Sequence, residues 1–336
     1  MQVTVLMAVY NGSKYLHDAI NSVLCQSYQD FEFLIVDDAS TDDSLSIIKS
    51  YHDSRIKLIA NKNNIGLTAS LNIGISQAKG IWIARHDADD VMLPMRLQIQ
   101  LQYLENSTYD ICFCRALIRD ERDGTEFIKK EAKWPFMAWE SLFANGYGCH
   151  PAVMFRKSRI VEIGGYDEYF KKAQDYDLFD RLSAAGCIFG YIEEPLIIYR
   201  VHKEQLSLKS LSDQEGYARE VSFRAIRRYL PNISNSEVLA IRWVFLTREN
   251  EPTLISLKII ELAEQLINSF LRDPRYSALN NKINQLFVLS IARRYYCFNS
   301  KMLKSAIWYL AFKVSFNTYD GMLLLRYLWY LYQERR

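Results

Sequence analysis

Short apolar runs alternate with stretches of helical spacing through the first third of the chain. Val3–Val9 is continuously apolar or β-branched, and Tyr10-Asn11-Gly12 then supplies turn residues. Ser13–Gln26 places Tyr15, Leu16, Ala19, Ile20, Val23 and Leu24 at helical spacing. Phe31–Val36 repeats the apolar run and ends in Asp37-Asp38, after which Ser40 and Thr41 stand where an N-cap is wanted for a helix over Asp42–Tyr51. Ile56–Ala60 predicts a third strand, Asn61–Asn64 a polar turn, Thr68–Ala78 a helix and Ile81–Ala84 a fourth strand. Continuously apolar strands joined by helices of this length predict a parallel sheet covered on both faces. Ligands of such sheets bind beyond the carboxyl ends of the strands. That rule brings Tyr10, Asp38 and the acids Asp87, Asp89 and Asp90 onto one rim.

The pattern then loosens. Met95–Glu105 predicts a helix, Ile111–Ile118 a strand, Asp120–Lys133 an exposed hairpin, Trp134–Phe143 a helix and Ala152–Phe155 a short strand. Asp175–Ala185 sets Leu178, Phe179 and Leu182 on one helical face, with Asp175 placed either to cap the helix or to project into a cleft. Two further strands, Ile188–Ile192 and Leu196–Val201, follow, and the second delivers His202. From about Ser207 only helical spacing remains, over Ser222–Leu230, Glu237–Leu246, Leu254–Leu271, Asn284–Tyr296 and Leu303–Phe316. The expected organisation is an α/β domain over residues 1–205 and a helical region over 206–336, with no long flexible linker between them.

Composition fits this picture: 336 residues, 49% of them hydrophobic, suffice for one sizeable core and an appendage. The N-terminus lacks a charged segment followed by an apolar one, so no export is expected and the assignment is cytoplasmic. Six scattered cysteines form neither a C-x-x-C pair nor a disulfide framework, which fits a reducing compartment. The net charge of +2 conceals an asymmetry. From Arg293 onward Arg293, Arg294, Lys301, Lys304, Lys313, Arg326, Arg335 and Arg336 face only Asp320 and Glu334, so this tail carries +6 and the remainder −4. No apolar run approaches the roughly 20 residues of a membrane span. Clustered cations with Trp308 and Trp329 instead suit an anionic membrane surface, in preference to nucleic acid, or else the tail is a homodimer interface.

The chemistry concentrates in Ile81–Asp90, IWIARHDADD, where an apolar run gives way to three carboxylates. Three acids in four residues repel one another, and an oxygen-rich set suits Mg²⁺ or Mn²⁺. The bland alternative is an acidic surface turn that caps the helix starting near Pro94. There is no H-x-x-x-H spacing, no G-x-S-x-G elbow and no Walker loop, which leaves hydrolase and kinase readings without support.

In order, VTVLMAVYNG, LIVDDASTDDS, NNIGLTASLNIGI, IARHDADD, HPAVMFR, GGYDE and AQDYDLFDRL resemble a family 2 glycosyltransferase of the bacterial surface-polysaccharide type, over about residues 1–205. The resemblance implies the GT-A fold, a Rossmann-like mixed sheet flanked by helices and followed here by a helical C-terminal region. It implies a hexosyltransferase that carries sugar from a UDP-sugar to a saccharide on undecaprenyl diphosphate, with the enzyme peripheral at the inner face of the cell membrane. On the matching positions, Asp38 would accept a hydrogen bond from the base, or else serve an Asx-turn or cap. Tyr10, with the backbone around Ala8 and Val9, would flank the base, and Asn64 and Leu67 lie in the loop at that pocket. Asp87 would face the ribose or donor sugar, and Asp89 would bind Mn²⁺ or Mg²⁺. His202 would approach the metal or diphosphate, or else be an ordinary surface histidine, while Asp90 would be structural.

Asp175 would be the general base of an inverting displacement. The family's Glu-Asp pair is Gln174-Asp175 here; Asp177 and Asp180 are the competing assignments for the base, expected at helical spacing to face solvent or cap the helix instead. The Q-x-x-R-W signature of processive synthases is absent, so one sugar per encounter is expected. Two alternatives remain. A nucleotide-sugar-binding module without catalysis would accommodate Gln174, and a sugar-phosphate nucleotidyltransferase would need a glycine- and arginine-rich loop that VYNGSKY lacks.

Overall fold

The computed structural model describes residues 1–129, 132–205, 211–246, 257–284, 286–287 and 290. The chain forms two compact units, one of Met1–Ser141 with Asn145–Val221, the other of Leu142–Ala144 with the described residues from Ser222 onward.

The first unit opens with β1 (Val3–Val9), α1 (Ser13–Leu24), β2 (Phe31–Asp37), α2 (Ser44–Ser50), β3 (Ile56–Ala60), α3 (Leu67–Gln77) and β4 (Trp82–Arg85). Then come β5 (Val91–Met92), α4 (Arg96–Glu105), β6 (Ile111–Asp120), β7 (Glu126–Ile128), α5 (Phe136–Glu140), β8 (Val153–Arg156), α6 (Lys157–Glu162), α7 (Gln174–Ala184) and β9 (Phe189–Val201). The nine strands form one sheet in the order β3-β2-β1-β4-β8-β6-β9-β5, with β7 paired to β6.

Every residue of β1 and β2 is buried, because helices cover both faces. Alternation along β1 sends Val3, Val5, Met7 and Val9 into a core shared with Leu16 and Ile20 of α1 and Leu97 and Leu101 of α4. Leu6 and Ala8 enter the opposite core with Leu71 and Ile75 of α3 and Phe179 and Leu182 of α7. The expected parallel arrangement holds for β3, β2, β1 and β4. It fails at β8, which runs antiparallel to both β4 and β6, and at β5, antiparallel to β9. An apolar run buried on both faces carries no mark of its direction.

The two strands expected over Ile188–Ile192 and Leu196–Val201 are one. β9 pairs with β6 throughout, but Cys114 faces Ile192 while Arg115 faces Pro195, so Glu193 and Glu194 bulge out to solvent. Pro195 has no N–H for the ladder, which is why the pairing slips there rather than elsewhere.

The C-terminal helices are α8 (Leu211–Arg227), α9 (Asn235–Phe245) and α10 (Leu257–Leu271). α9 opens on a reciprocal capping box between Ser234 and Glu237, and Lys258 of α10 reaches Glu237 at 2.5 Å. Most of the helix expected over Asn284–Tyr296, that over Leu303–Phe316 and the basic tail from Arg293 lie outside the described residues. Among the described residues no helix is long and apolar enough to cross a membrane.

Candidate active site

The loops after β1 and β2 are laced together at the sheet's rim. Asn11, at φ 52°, accepts from the Thr41 N–H at 2.8 Å and donates its own N–H to Ser40 at 3.0 Å. The Gly12 N–H reaches Ser44 at 2.9 Å, and that of Ser13 reaches Asp42 at 3.0 Å. Ser40 and Thr41 therefore do not cap α2, which begins at Ser44 without a side-chain cap; the hydroxyl and backbone they contribute tie the two loops instead. Burial pushes the Asp42 carboxyl up, but hydrogen bonds from Ser44 and Ser13 outweigh it and hold the pKa at about 2.

Ala8 and Val9 are buried at the end of β1, Val9 accepting the Asp38 N–H at 2.8 Å, while Tyr10 stands half exposed beyond them. The buried Asp38 carboxylate is the hub of the third loop. It takes the Asn61 amide at 2.9 Å and the Ile65 N–H at 3.0 Å on Oδ1, and the Gly66 N–H at 2.8 Å on Oδ2. Gly66 sits at φ 89°, where a side chain would be strained, and it starts α3. Asn64, exposed, and Leu67, half-buried, flank this contact.

Past β4, Asp87, Asp89 and Asp90 offer carboxylate oxygens that all lie within 4.8 Å of one another. Asp87 pairs with Arg85, fully buried at the strand end. Asp89 meets Nε2 of His202 at 3.1 Å. Asp90 accepts the Arg200 N–H at 3.0 Å, while its buried Oδ2 has no hydrogen-bond partner among the described residues. Burial pushes the Asp90 carboxyl well above the usual range, with Asp89 and Asp87 adding to the effect. Asp87 is raised for the same reason against the pull of Arg85, and Asp175 adds to the rise. His86 is buried beneath the turn with both ring nitrogens lacking a hydrogen-bond partner, and burial with Arg96, Arg85 and Arg200 around it holds it neutral.

This is not a capping turn, since α4 starts after Met95 without a side-chain cap. The donor set fits a hard divalent cation. Its oxygens and one imidazole suit Mn²⁺ or Mg²⁺, and 3.1 Å between Asp89 and His202 is close to the about 3 Å separating neighbouring ligands of an octahedral ion with bonds of about 2.1 Å.

Asp175 is the second residue of α7, whose cap position is Ala173 at φ 54° with no side-chain cap. The carboxylate is thus not a cap. It accepts from the Asn145 amide at 3.0 Å. Burial raises its pKa, opposed by N–H groups at the helix start, Asn145 and Arg85. Asp177 and Asp180, expected at the surface, are buried. Asp177 pairs with Arg181 at 2.7 Å, and Arg181 also donates to the carbonyls of Ile163 at 3.0 Å and Gly165 at 2.8 Å. That clamp fixes the Gly164-Gly165 turn, and Asn72 holds Tyr166 through both its N–H and its carbonyl. Tyr166 and His150, both buried, meet at 2.7 Å.

The structure thus brings Asp87, Asp89, Asp90 and His202 together with Asp175 within their electrostatic reach, while Asp38 and Tyr10 occupy adjacent strand ends. Arg85, Asn145, His150, Tyr166 and Arg200 were not singled out from sequence. HPAVMFR and GGYDE marked the places of His150 and Tyr166, but nothing in them says that the two side chains meet.

Residues 4–164 match the family described as Glycosyl transferase family 2, and residues 121–272 match Glycosyltransferase like family 2. The chain is similar to the uncharacterized glycosyltransferase MJ1057 of Methanocaldococcus jannaschii, at 36% identity over 64% of this chain and 76% of that protein. It is also similar to the O-antigen biosynthesis glycosyltransferase WbnJ of Escherichia coli, at 32% identity over 63% of this chain and 85% of that protein. The crystal structure of S. aureus TarS 1-349 in complex with UDP shares the fold, with a TM-score of 0.57 at 16% identity over 86% of each chain.

Proposed function

We propose that this chain, which belongs to glycosyltransferase family 2, is an inverting, divalent-metal-dependent enzyme that moves one sugar per encounter from a UDP-sugar to a saccharide acceptor. It is a glycosyltransferase with the GT-A fold, as its motifs led one to expect. The observation that carries the finer reading is the convergence of Asp175 with the Asp87–Asp90 turn and His202 on one rim.

In this reading Tyr10 and the ends of β1 and β2 form the base pocket. Asp38 already takes three hydrogen bonds from its own protein, and a carboxylate has about four acceptor positions. The fourth is available for an N–H of the base. Asn64 and Leu67 wall the pocket, and Asp87 orients the ribose or donor sugar while Arg85 fixes its carboxylate. Asp89 and His202 hold the cation, with Asp90 completing the turn. When bound, Mn²⁺ or Mg²⁺ offsets the charge that develops on the departing diphosphate.

Asp175 takes the proton of the acceptor hydroxyl as its oxygen bonds to the anomeric carbon and the bond to the nucleoside diphosphate breaks. Gln174 puts no second charge beside it, which favours the ionised base. UDP in the TarS structure supports a UDP donor, and O-antigen biosynthesis by WbnJ supports a role in surface polysaccharide; an acceptor carried on undecaprenyl diphosphate is what the resemblance of the motifs implies. The basic, tryptophan-containing sequence from Arg293 supports contact with an anionic membrane surface or a second copy through residues 206–336, while residues 1–205 carry the donor site and catalysis.

Incubation with Mn²⁺ and a panel of UDP-sugars, read by released UDP, tests this. Transfer, or slow hydrolysis of one donor, supports the enzyme; tight UDP binding with neither activity supports a binding module instead.

A further inference from the structure

The end of β9 and the residue after it hold the acid turn at two points: the Arg200 N–H at Asp90 and, two residues on, the His202 ring at Asp89. His202 itself is held in an unusual way. An imidazole that binds a cation ordinarily gives its second nitrogen to a carboxylate or carbonyl, and that hydrogen bond sets the ring's orientation. Here Nδ1 is buried and has no hydrogen-bond partner among the described residues.

What the ring has instead is an aromatic neighbour. Tyr15 of α1, itself buried, places its ring centroid 4.7 Å from that of His202 at a tilt of 42°, within the range where ring pairs attract. Tyr15 is fixed in turn. Its hydroxyl donates to Glu121 at 2.5 Å and accepts from Lys14 at 2.6 Å. The Arg200 guanidinium lies 5.0 Å from the ring centroid and is anchored on α1 by Asp18 at 2.8 Å. None of the roles assigned above uses Tyr15.

We infer that Tyr15 is a positioning residue for the cation site, its ring setting the orientation in which His202 meets Asp89. The inference rests on the proposal that His202 helps to hold the divalent ion. The ring carries the effect, and the hydroxyl only anchors the ring, so phenylalanine substitutes and an aliphatic residue does not.

The test is Mn²⁺ binding to the protein alone, followed by electron paramagnetic resonance of free Mn²⁺, with NMR of the His202 Cε1–H as a second readout. Tyr15→Phe is expected to bind Mn²⁺ within about twofold of wild type. Tyr15→Leu and Tyr15→Met weaken binding by about tenfold or more, the scale seen when a ligand's supporting partner is lost, and so does His202→Ala. The His202 proton signal lies upfield of an ordinary histidine in wild type and Tyr15→Phe, because it sits against a ring. Wild-type affinity in a folded aliphatic variant, or no upfield shift in the wild-type protein, overturns the inference and leaves His202 as a ligand. Unchanged affinity in His202→Ala overturns the underlying reading and the inference together.

Discussion

His202 and Asp89 lie 113 residues apart in the chain and 3.1 Å apart in the fold. β9 makes the meeting possible: it runs beside β6 and pairs with β5 just after the acid turn, so its end arrives at the carboxylates.

If the pair and its neighbours hold a cation, binding must stabilise the folded chain by mass action, by about 2.7 kcal/mol at a hundredfold excess over Kd. Thermal unfolding with rising Mn²⁺ is expected to show a steadily higher Tm for wild type and little change for Asp89→Ala. Equal shifts in both would place the ion elsewhere.

If Asp175 is the base, it sets the acid side of the pH profile. A base works ionised, so activity falls as pH drops through its folded pKa, and burial puts that value above the about 3.9 of a free aspartate. The Asn145 hydrogen bond favours the ionised form, so Asn145→Ala moves the limb to higher pH. A limb that stays in place or moves down would contradict the assignment; kcat measured across pH for both proteins decides it.

Asp38 organises its own loop. Asp38→Ala leaves the N–H groups of Ile65 and Gly66 without their acceptor and the Asn61 amide with Ser70 alone, at a cost of about 1–3 kcal/mol for each group that stays buried. Calorimetry with UDP is expected to show affinity at least about tenfold weaker, and hydrogen exchange to show faster exchange across residues 61–66. UDP binding at wild-type strength would remove Asp38 from the base pocket.

Arg181 is a stability residue in the last turn of α7, the helix that carries Asp175. Arg181→Ala leaves the fully buried Asp177 carboxylate without this partner and releases the carbonyls of Ile163 and Gly165. Breaking one side of a buried pair typically costs about 3–5 kcal/mol. Because Arg181 is partly exposed, about 3 kcal/mol is expected by urea unfolding.

The first four strands were legible because continuous apolar runs between helical stretches have few other uses. The direction of β8 was not, since Val153–Phe155 would look the same in either orientation. Nor was the continuity of β9, whose Glu193-Glu194-Pro195 reads as a break and folds as a bulge. At the site, the acids of IARHDADD and QDYDLFD stood out by motif, whereas their supports did not. Tyr15 occupies a helical position indistinguishable from core, and Asn145 lies in a loop 30 residues before the carboxylate it bonds. Such partners are chosen by tertiary proximity, which local pattern does not encode.

The most direct measurement pairs two assays on Asp175→Asn: UDP release from the donor with Mn²⁺ and acceptor present, and UDP binding by calorimetry. Wild-type UDP affinity is expected, with turnover reduced by at least about a hundredfold. Turnover near that of wild type would rule out Asp175 as the base, because the proton of the acceptor would then have another destination.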